Sequence, residues 1–226
     1  MAWPAASAAG TIGSMPVDPG LFLAFVAAIV LICVIPGPDM LFVLANGMRH
    51  GARGGLAAAV GMTGGMAVHT AAAVVGLSAL IASSATAFEA IRLAGAAYLA
   101  WLAIAALRGG GEALGERSPI AGGEAAPTRA IAGRAAVTNL LNPKVIMFFL
   151  AFLPQFIDPS RGAVWLQLLV LGATFTAVGL GVDAAIGLLA GRLGERVARS
   201  RRVGRALDRL AATVYLGLAA RLVATR

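Results

Sequence analysis

The sequence predicts an all-α integral membrane protein with about six transmembrane helices, arranged as two inverted repeats of three helices. Hydrophobic residues make up 59% of the 226 residues and charged residues only 12%, whereas soluble domains are about 45–50% apolar and about 25% charged. The apolar residues also fall into long runs, and about 20 such residues cross a bilayer as one helix. We therefore expect a single multi-pass domain in residues 15–226.

Six apolar runs give the predicted helices, at residues 21–45, 55–81, 90–107, 135–157, 163–190 and 206–223. The sixth run is the weakest, because its uncharged part is short. A Gly-, Glu- and Arg-rich stretch at 108–134 has no periodicity and is predicted to be a flexible cytoplasmic linker. Residues 1–14 are predicted to be disordered, or an extension before the true start at Met15.

The charge distribution predicts the orientation of the helices. The formal net charge is +8, and most arginines lie in the segments after the first, third and fifth runs, which the positive-inside rule places in the cytoplasm. Six helices then leave both termini outside. We expect no nucleic-acid partner, because these arginines do not form a soluble basic patch.

Several chemistries are not expected from this composition. Cys33 is the only cysteine, so neither an internal disulfide nor a thiolate metal site can form. No nucleophile, base and oxyanion donor occur at a recognisable spacing. We therefore predict no catalytic residue, no cofactor and no metal site.

Each predicted half begins with a helix that proline interrupts. Pro36, Gly37 and Pro38 break the first helix, and Asn142 and Pro143 break the fourth. Inverted repeats with interrupted helices at corresponding positions indicate a transport site near the middle of the membrane. These five residues are predicted to line a substrate path; the alternative is a simple structural kink.

Three ionisable residues lie at one predicted depth. Asp39, Lys144 and Asp183 each lie nine or ten residues from the nearest arginine of a predicted cytoplasmic segment, roughly 14–15 Å at 1.5 Å per residue. An isolated charge in the bilayer costs about 2.5–3.5 kcal/mol on insertion scales. We therefore predict that they face a common cavity and bind substrate, with Asp183 also a candidate proton site. Lys144 is the only lysine. The alternative to a substrate role is a structural ion pair, and at this point Lys144 can pair with Asp39, with Asp183 or with neither.

His69 has two interpretations. It continues a row of small residues, Ala57, Gly61 and Gly65, at a spacing of four, and such rows let helices approach closely. The first interpretation is a packing face with His69 hydrogen-bonded across it. The second is a proton relay.

Two segments, PGPDMLFVLANGMRHGARGGLAAAVGMTGGMAVH and TNLLNPKVIMFFLAFLPQFI, resemble the signature segments of the LysE/RhtB family of bacterial amino-acid exporters. AGAAYLAWLAIAALR is similar to the third helix of that family, and the resemblance covers about residues 16–193. It implies six transmembrane segments in the bacterial inner (plasma) membrane, proton-driven amino-acid export and a homodimer. Pro36, Gly37, Pro38 and the segment 142–144 correspond to motif positions.

The resulting prediction is a secondary exporter of small amino acids, with neutral or hydroxylated substrates such as homoserine, threonine or leucine favoured. Its expected partners are the amino acid, protons and the lipid bilayer. Two alternatives are cation or metal efflux within the same superfamily, and a structural membrane protein that transports nothing.

Overall fold

The structure is a computed structural model that describes residues 16–108, 126–198 and 201–224. These residues form helices and no β-strand. The predicted extension at 1–14 and most of the predicted linker lie outside the described residues. The α-helices are α1 (Pro19–Val34), α2 (Pro38–Ala72), α3 (Ser78–Ser83), α4 (Ala85–Arg108), α5 (Thr128–Leu140), α6 (Pro143–Met147), α7 (Val164–Ala198) and α8 (Arg201–Ala224). The π-helical turns Ala73–Leu77 and Phe148–Phe152 extend α2 and α6, and 3-10 turns cover Leu153–Phe156 and Pro159–Arg161.

Three described helical segments are long and apolar enough to cross a bilayer, namely Pro38–Leu80, Thr86–Arg108 and Val164–Ala190. The pair Thr128–Leu140 and Pro143–Phe156, bent by 49°, would make a fourth, and Pro19–Val34 is apolar but shorter. The helical membrane class is confirmed. The count of six spans is not confirmed, since α8 carries too many charged residues to qualify.

The first predicted helix, 21–45, is divided in two. The α1 helix ends at Val34, and α2 begins at Pro38 and runs through the loop predicted after it. Gly51 interrupts α2 with φ 67° and ψ −162°, a conformation that glycine adopts without steric penalty. A Cβ atom at either Gly47 or Gly55 would lie within 2.6 Å of the Gly187 carbonyl oxygen. Since both sides of Gly51 contact the same residue of α7, the chain reverses direction at Gly51.

Two predicted loops are shorter than expected. The linker was predicted to reach residue 134, but α5 begins at Thr128, directly after Pro127. The fifth helix was predicted to end at 190, but α7 continues to Ala198. Ala and Arg recur in residues 128–134, and Arg, Leu, Glu and Ala make up five of the eight residues in 191–198. These residues favour helix whether or not lipid surrounds them. The ends of the apolar runs therefore give the expected membrane boundary, and the helices continue beyond these ends.

Glycines bring α2 close to α5 and α7. A Cβ atom at Gly61 would lie 2.1 Å from the carbonyl oxygen of Ala132, and one at Gly65 would lie 2.6 Å from Asn139 Oδ1. Gly55 and Gly187 meet backbone to backbone in the same way. The small-residue face predicted along the second run is therefore the face on which α5 packs.

The two ends of the described chain lie at the same end of the bundle. Arg161 pairs with Asp18, which caps the start of α1, at 3.1 Å. Arg221, near the end of α8, lies over the Phe156 ring at 4.4 Å from its centroid. Phe156 and Arg161 flank one short loop, so the start of α1 and the end of α8 are neighbours.

Candidate functional site

The three ionisable residues predicted at one depth line one cavity. Asp39, Lys144 and Asp183 are 6%, 7% and 5% exposed, and they come from α2, α6 and α7. The cavity volume is about 20 Å³. The remaining wall is largely apolar and consists of Ile32, Cys33, Met40, Met66, Val145, Phe148 and Phe175.

The break after α1 leaves a backbone carbonyl without its helical donor. In an α-helix the carbonyl of Ile32 would accept from the N–H of residue 36, but Pro36 has none. Lys144 supplies the missing donor, because its Nζ donates to the carbonyl oxygens of Ile32 at 3.1 Å and Ile35 at 3.2 Å. Gly37 leaves room for this ammonium, since a Cβ atom there would lie 3.2 Å from Nζ.

The break after α5 follows the same rule. Pro143 removes the helical donor of the Asn139 carbonyl, and this oxygen instead lies 3.3 Å from His69 Nε2 and accepts from the Asn142 backbone N–H at 3.0 Å. A carbonyl can only accept, so we assign the ring proton to Nε2. The Asn142 side chain caps α6 by accepting from the backbone N–H of Lys144 at 3.0 Å.

Asn139 also connects the two breaks. Its Nδ2 donates to Asp39 Oδ2 at 2.8 Å, and Asn139 is fully buried. The sequence prediction did not name Asn139 as a site residue. It could have been found from its position, four residues before Pro143, as Ile32 lies four residues before Pro36.

Two carboxylate oxygens in the cavity have no hydrogen-bond partner. Among the described residues, nothing donates to the buried atoms Asp39 Oδ1 and Asp183 Oδ2. The predicted pairing of Lys144 with a carboxylate is not adopted either, because within the described chain the ion pairs closer than 4.0 Å do not include Lys144. With all three groups ionised the formal charge is −1, so the cavity presents acceptors to a cationic group.

The other predicted path residues lie at the two helix breaks. Pro36, Gly37, Pro38, Asn142 and Pro143 are not lining residues. They interrupt the helices and determine where the helices on either side of each break end and begin. Their predicted role in lining a substrate path stays a prediction.

His69 is likewise outside the cavity wall. Its ring stacks on Phe149, with the ring centroids 5.5 Å apart and the planes 26° apart. Within the described chain, its hydrogen bond to the site is the one to the Asn139 carbonyl. This geometry is the predicted hydrogen bond across a packing face.

A helical membrane protein with two interrupted helices, and with charges buried at the breaks, has the architecture of a secondary transporter. The model of the LysE type translocator family matches residues 30–226. The chain belongs to this family.

Curated relatives cover nearly the whole chain. A leucine efflux protein of Enterobacter sp. (strain 638) is 33% identical over 207 residues, which are 89% of this chain and 94% of the relative. A homoserine/homoserine lactone efflux protein of Salmonella typhimurium is 30% identical over 205 residues, 91% of this chain and 97% of the relative. A protein of Vibrio cholerae called an uncharacterized membrane protein is 34% identical over 203 residues, 88% of this chain and 95% of the relative. No solved structure matches the chain.

Proposed function

We propose that this protein exports small neutral or hydroxylated amino acids across the bacterial inner membrane by proton-coupled alternating access. The names of the relatives, leucine efflux and homoserine efflux, support the amino-acid class. The observation that carries the proposal is the cavity, which combines two unpartnered carboxylate oxygens with one ammonium. An amino acid is a zwitterion and needs both signs of charge.

The site residues divide naturally between the two ends of a zwitterion. Asp39 Oδ1 and Asp183 Oδ2 accept from the substrate ammonium. An ammonium has three donors, and Lys144 uses two of them on carbonyls, so the third is directed to the substrate carboxylate. The start of α2 adds to this, because Gly37 provides no side-chain cap there and a helix N-terminus favours an anion.

The cavity is too small for an amino acid in this conformation. Its volume of about 20 Å³ is close to the room that one water molecule needs, on the order of 10–15 Å³. Substrate must therefore enter through another conformation. The breaks at residues 35–37 and 141–142 are the places where the helix ends can separate without breaking regular helical hydrogen bonds.

Proton coupling requires a group that is charged in one state and neutral in another. Asp183 meets this requirement, because it is buried in the cavity and its Oδ2 has no donor among the described residues. In the proposed cycle, a proton on Asp183 takes the place of the substrate ammonium after export. In the returning empty transporter, the charges of Asp39 and Lys144 then sum to zero.

The proposal is tested by direct measurement of export. Bacteria that express the chain are loaded with amino acids by dipeptide feeding, and every amino acid in the medium is quantified. We expect a small set of neutral amino acids to leave faster than with an empty vector, and Asp183→Asn to reduce this export about tenfold or more, since losing one charged hydrogen bond costs about 1.5–3 kcal/mol.

Asp158→Asn is the matched control. Asp158 is also a carboxylate but lies on the loop before α7, so its variant should export like the wild type. If no amino acid responds to a correctly inserted protein, or if Asp183→Asn and Asp158→Asn export equally, the proposed function or the role of Asp183 is wrong.

A further inference from the structure

We infer that the broken end of α1 is a binding site for a monovalent alkylammonium-type cation, and that Lys144 fills this site with an ammonium tethered to the chain. The site consists of the carbonyl oxygens of Ile32 and Ile35, which lie 3.1 Å and 3.2 Å from Lys144 Nζ. This cation site is distinct from Asp39 and Asp183, the carboxylates proposed to bind the substrate ammonium.

The chemistry of the helix end favours a cation at this point. Pro36 leaves the Ile32 carbonyl without a backbone donor, and the last carbonyls of a helix carry its negative partial charge. Ile35 has extended backbone, φ −67° and ψ 126°, which turns its carbonyl out of the helical direction. The two oxygens therefore converge on one donor from outside the helix.

The Lys144 ammonium bonds to these carbonyls and not to the neighbouring acids. Asp39 and Asp183 line the same cavity as Lys144, yet Lys144 forms no ion pair within 4.0 Å with either of them in the described chain. Gly37 contributes the space, because any Cβ atom there would crowd Nζ at 3.2 Å. A lysine that merely sought a countercharge would lie against a carboxylate.

In transporters with broken helices, unwound carbonyls and half-helix C-termini hold a coupling cation. Here the chain itself supplies the cation from α6. Lys144 thereby joins the first break to the second, and the site needs no sodium ion from solution. Removal of the Lys144 ammonium should leave a site that a small free ammonium can occupy.

The test uses the full-length protein, purified in detergent, and its thermal unfolding midpoint. Lys144→Ala removes three methylene groups and the ammonium, which propylammonium replaces. We expect propylammonium to raise the midpoint of Lys144→Ala in a saturable manner, by several degrees at concentrations far above its dissociation constant. The wild type should not respond, and tetramethylammonium, which has no N–H to donate, should have no effect on the variant.

Two further variants identify the acceptors. Lys144→Met fills the space of the lysine stem without a charge, so its midpoint should not respond to propylammonium. Pro36→Ala in the Lys144→Ala background gives residue 36 a backbone N–H, the donor that the Ile32 carbonyl otherwise lacks. This change should weaken propylammonium binding about tenfold, which corresponds to about 1.4 kcal/mol. Asp183→Asn in the same background should leave this binding in place.

The inference is overturned if Lys144→Ala shows no saturable response, or if its response disappears with Asp183→Asn and persists with Pro36→Ala. If Lys144→Ala folds only when propylammonium is present during extraction, the inference is supported. If Lys144→Ala fails to fold even then while Lys144→Met folds, it is overturned. Because the midpoint requires no export, a negative export assay with a positive midpoint response would reject the proposed function alone.

Discussion

Asn139 holds Asp39 by a buried hydrogen bond from Nδ2 to Oδ2, 2.8 Å long. The donor immediately precedes the break in the second half of the chain, and the acceptor immediately follows the break in the first half. This bond occupies one carboxylate oxygen of Asp39, and nothing in the described chain donates to the other, the buried Oδ1. In the proposed function, Asn139 thereby leaves Oδ1 as the Asp39 oxygen that accepts from the substrate ammonium.

The first prediction concerns Asn139→Ala. A hydrogen bond to a charged group contributes about 1.5–3 kcal/mol, so the variant should reduce amino-acid export about tenfold or more. The effect should lie mainly in the apparent affinity, because Asp39 remains charged but loses its orientation. Initial export rates at graded internal substrate concentrations measure this.

Thr138→Ala is the control for Asn139. Thr138 is the adjacent residue, and its hydroxyl bonds only to the Arg134 carbonyl of its own helix, at 2.9 Å. It should export like the wild type. Unchanged export in Asn139→Ala, at equal membrane abundance, would contradict a positioning role for Asn139.

The second prediction separates the two interpretations of His69. Among the described residues, His69 stacks on Phe149 and bonds to one carbonyl, which favours packing. His69→Phe preserves an aromatic stack and removes the titratable ring, so export should stay within about twofold, the effect of losing a net hydrogen bond of about 0.5 kcal/mol. The pH profile of export should also be unchanged. A large loss of export with an altered pH profile would instead establish the proton relay.

The third prediction compares two glycines on the same helix. A Cβ atom at Gly61 would lie 2.1 Å from the Ala132 carbonyl oxygen, whereas one at Gly64 would meet nothing within 4 Å. Gly61→Ala should destabilise the protein by about 1–3 kcal/mol or more through overpacking. Gly64→Ala should be neutral or stabilise it by about 0.5–1 kcal/mol, because alanine favours helix. Thermal unfolding midpoints in detergent measure both, and equal midpoints would contradict the close contact of α2 and α5.

The fourth prediction concerns the loop before α7. Gln167 is fully buried; it accepts from the Asp158 N–H at 2.9 Å and donates to the Asp158 carbonyl at 2.8 Å. Gln167→Leu keeps the volume but leaves two backbone groups without these partners, so amide exchange in residues 157–163 should accelerate. Thr174→Val is the control, because Thr174 bonds only within its own helix, at 2.8 Å to Val170. Equal exchange in the two variants would show that Gln167 does not order the loop.

The fifth prediction is a pH dependence of the same loop. The Ser160 hydroxyl and backbone N–H donate to Asp158 Oδ1 and hold the pKa of this carboxyl below its usual range. A depressed pKa stabilises the loop above the ordinary aspartate value, and this stabilisation is lost as the pH falls through the lowered pKa. We expect amide protection of residues 157–163 to persist at pH 5 and to decrease only below about pH 4. In Ser160→Ala the pKa of Asp158 lies closer to its ordinary value, so the pH-dependent loss of protection should be smaller and should end at a higher pH. An identical pH profile would contradict the assignment.

The sequence predicted the class of the protein, the two breaks and the convergence of charges. Each of these depends on local chemistry. Pro36 and Pro143 remove specific helical hydrogen bonds wherever the helix lies, and an apolar run of sufficient length must be buried or in lipid. The common depth of Asp39, Lys144 and Asp183 followed from counting residues along helices, which works because the rise per residue is constant.

Only the tertiary structure decided which groups meet. Lys144 binds the carbonyls of Ile32 and Ile35, more than a hundred residues away in sequence, rather than a carboxylate. The Asn139 bond to Asp39 is equally distant in sequence. Residue spacing fixes the depth of a side chain, but not its rotation about the helix axis or the neighbouring helix. The glycine contacts between α2 and both α5 and α7 decide these for Asp39 and Asn139.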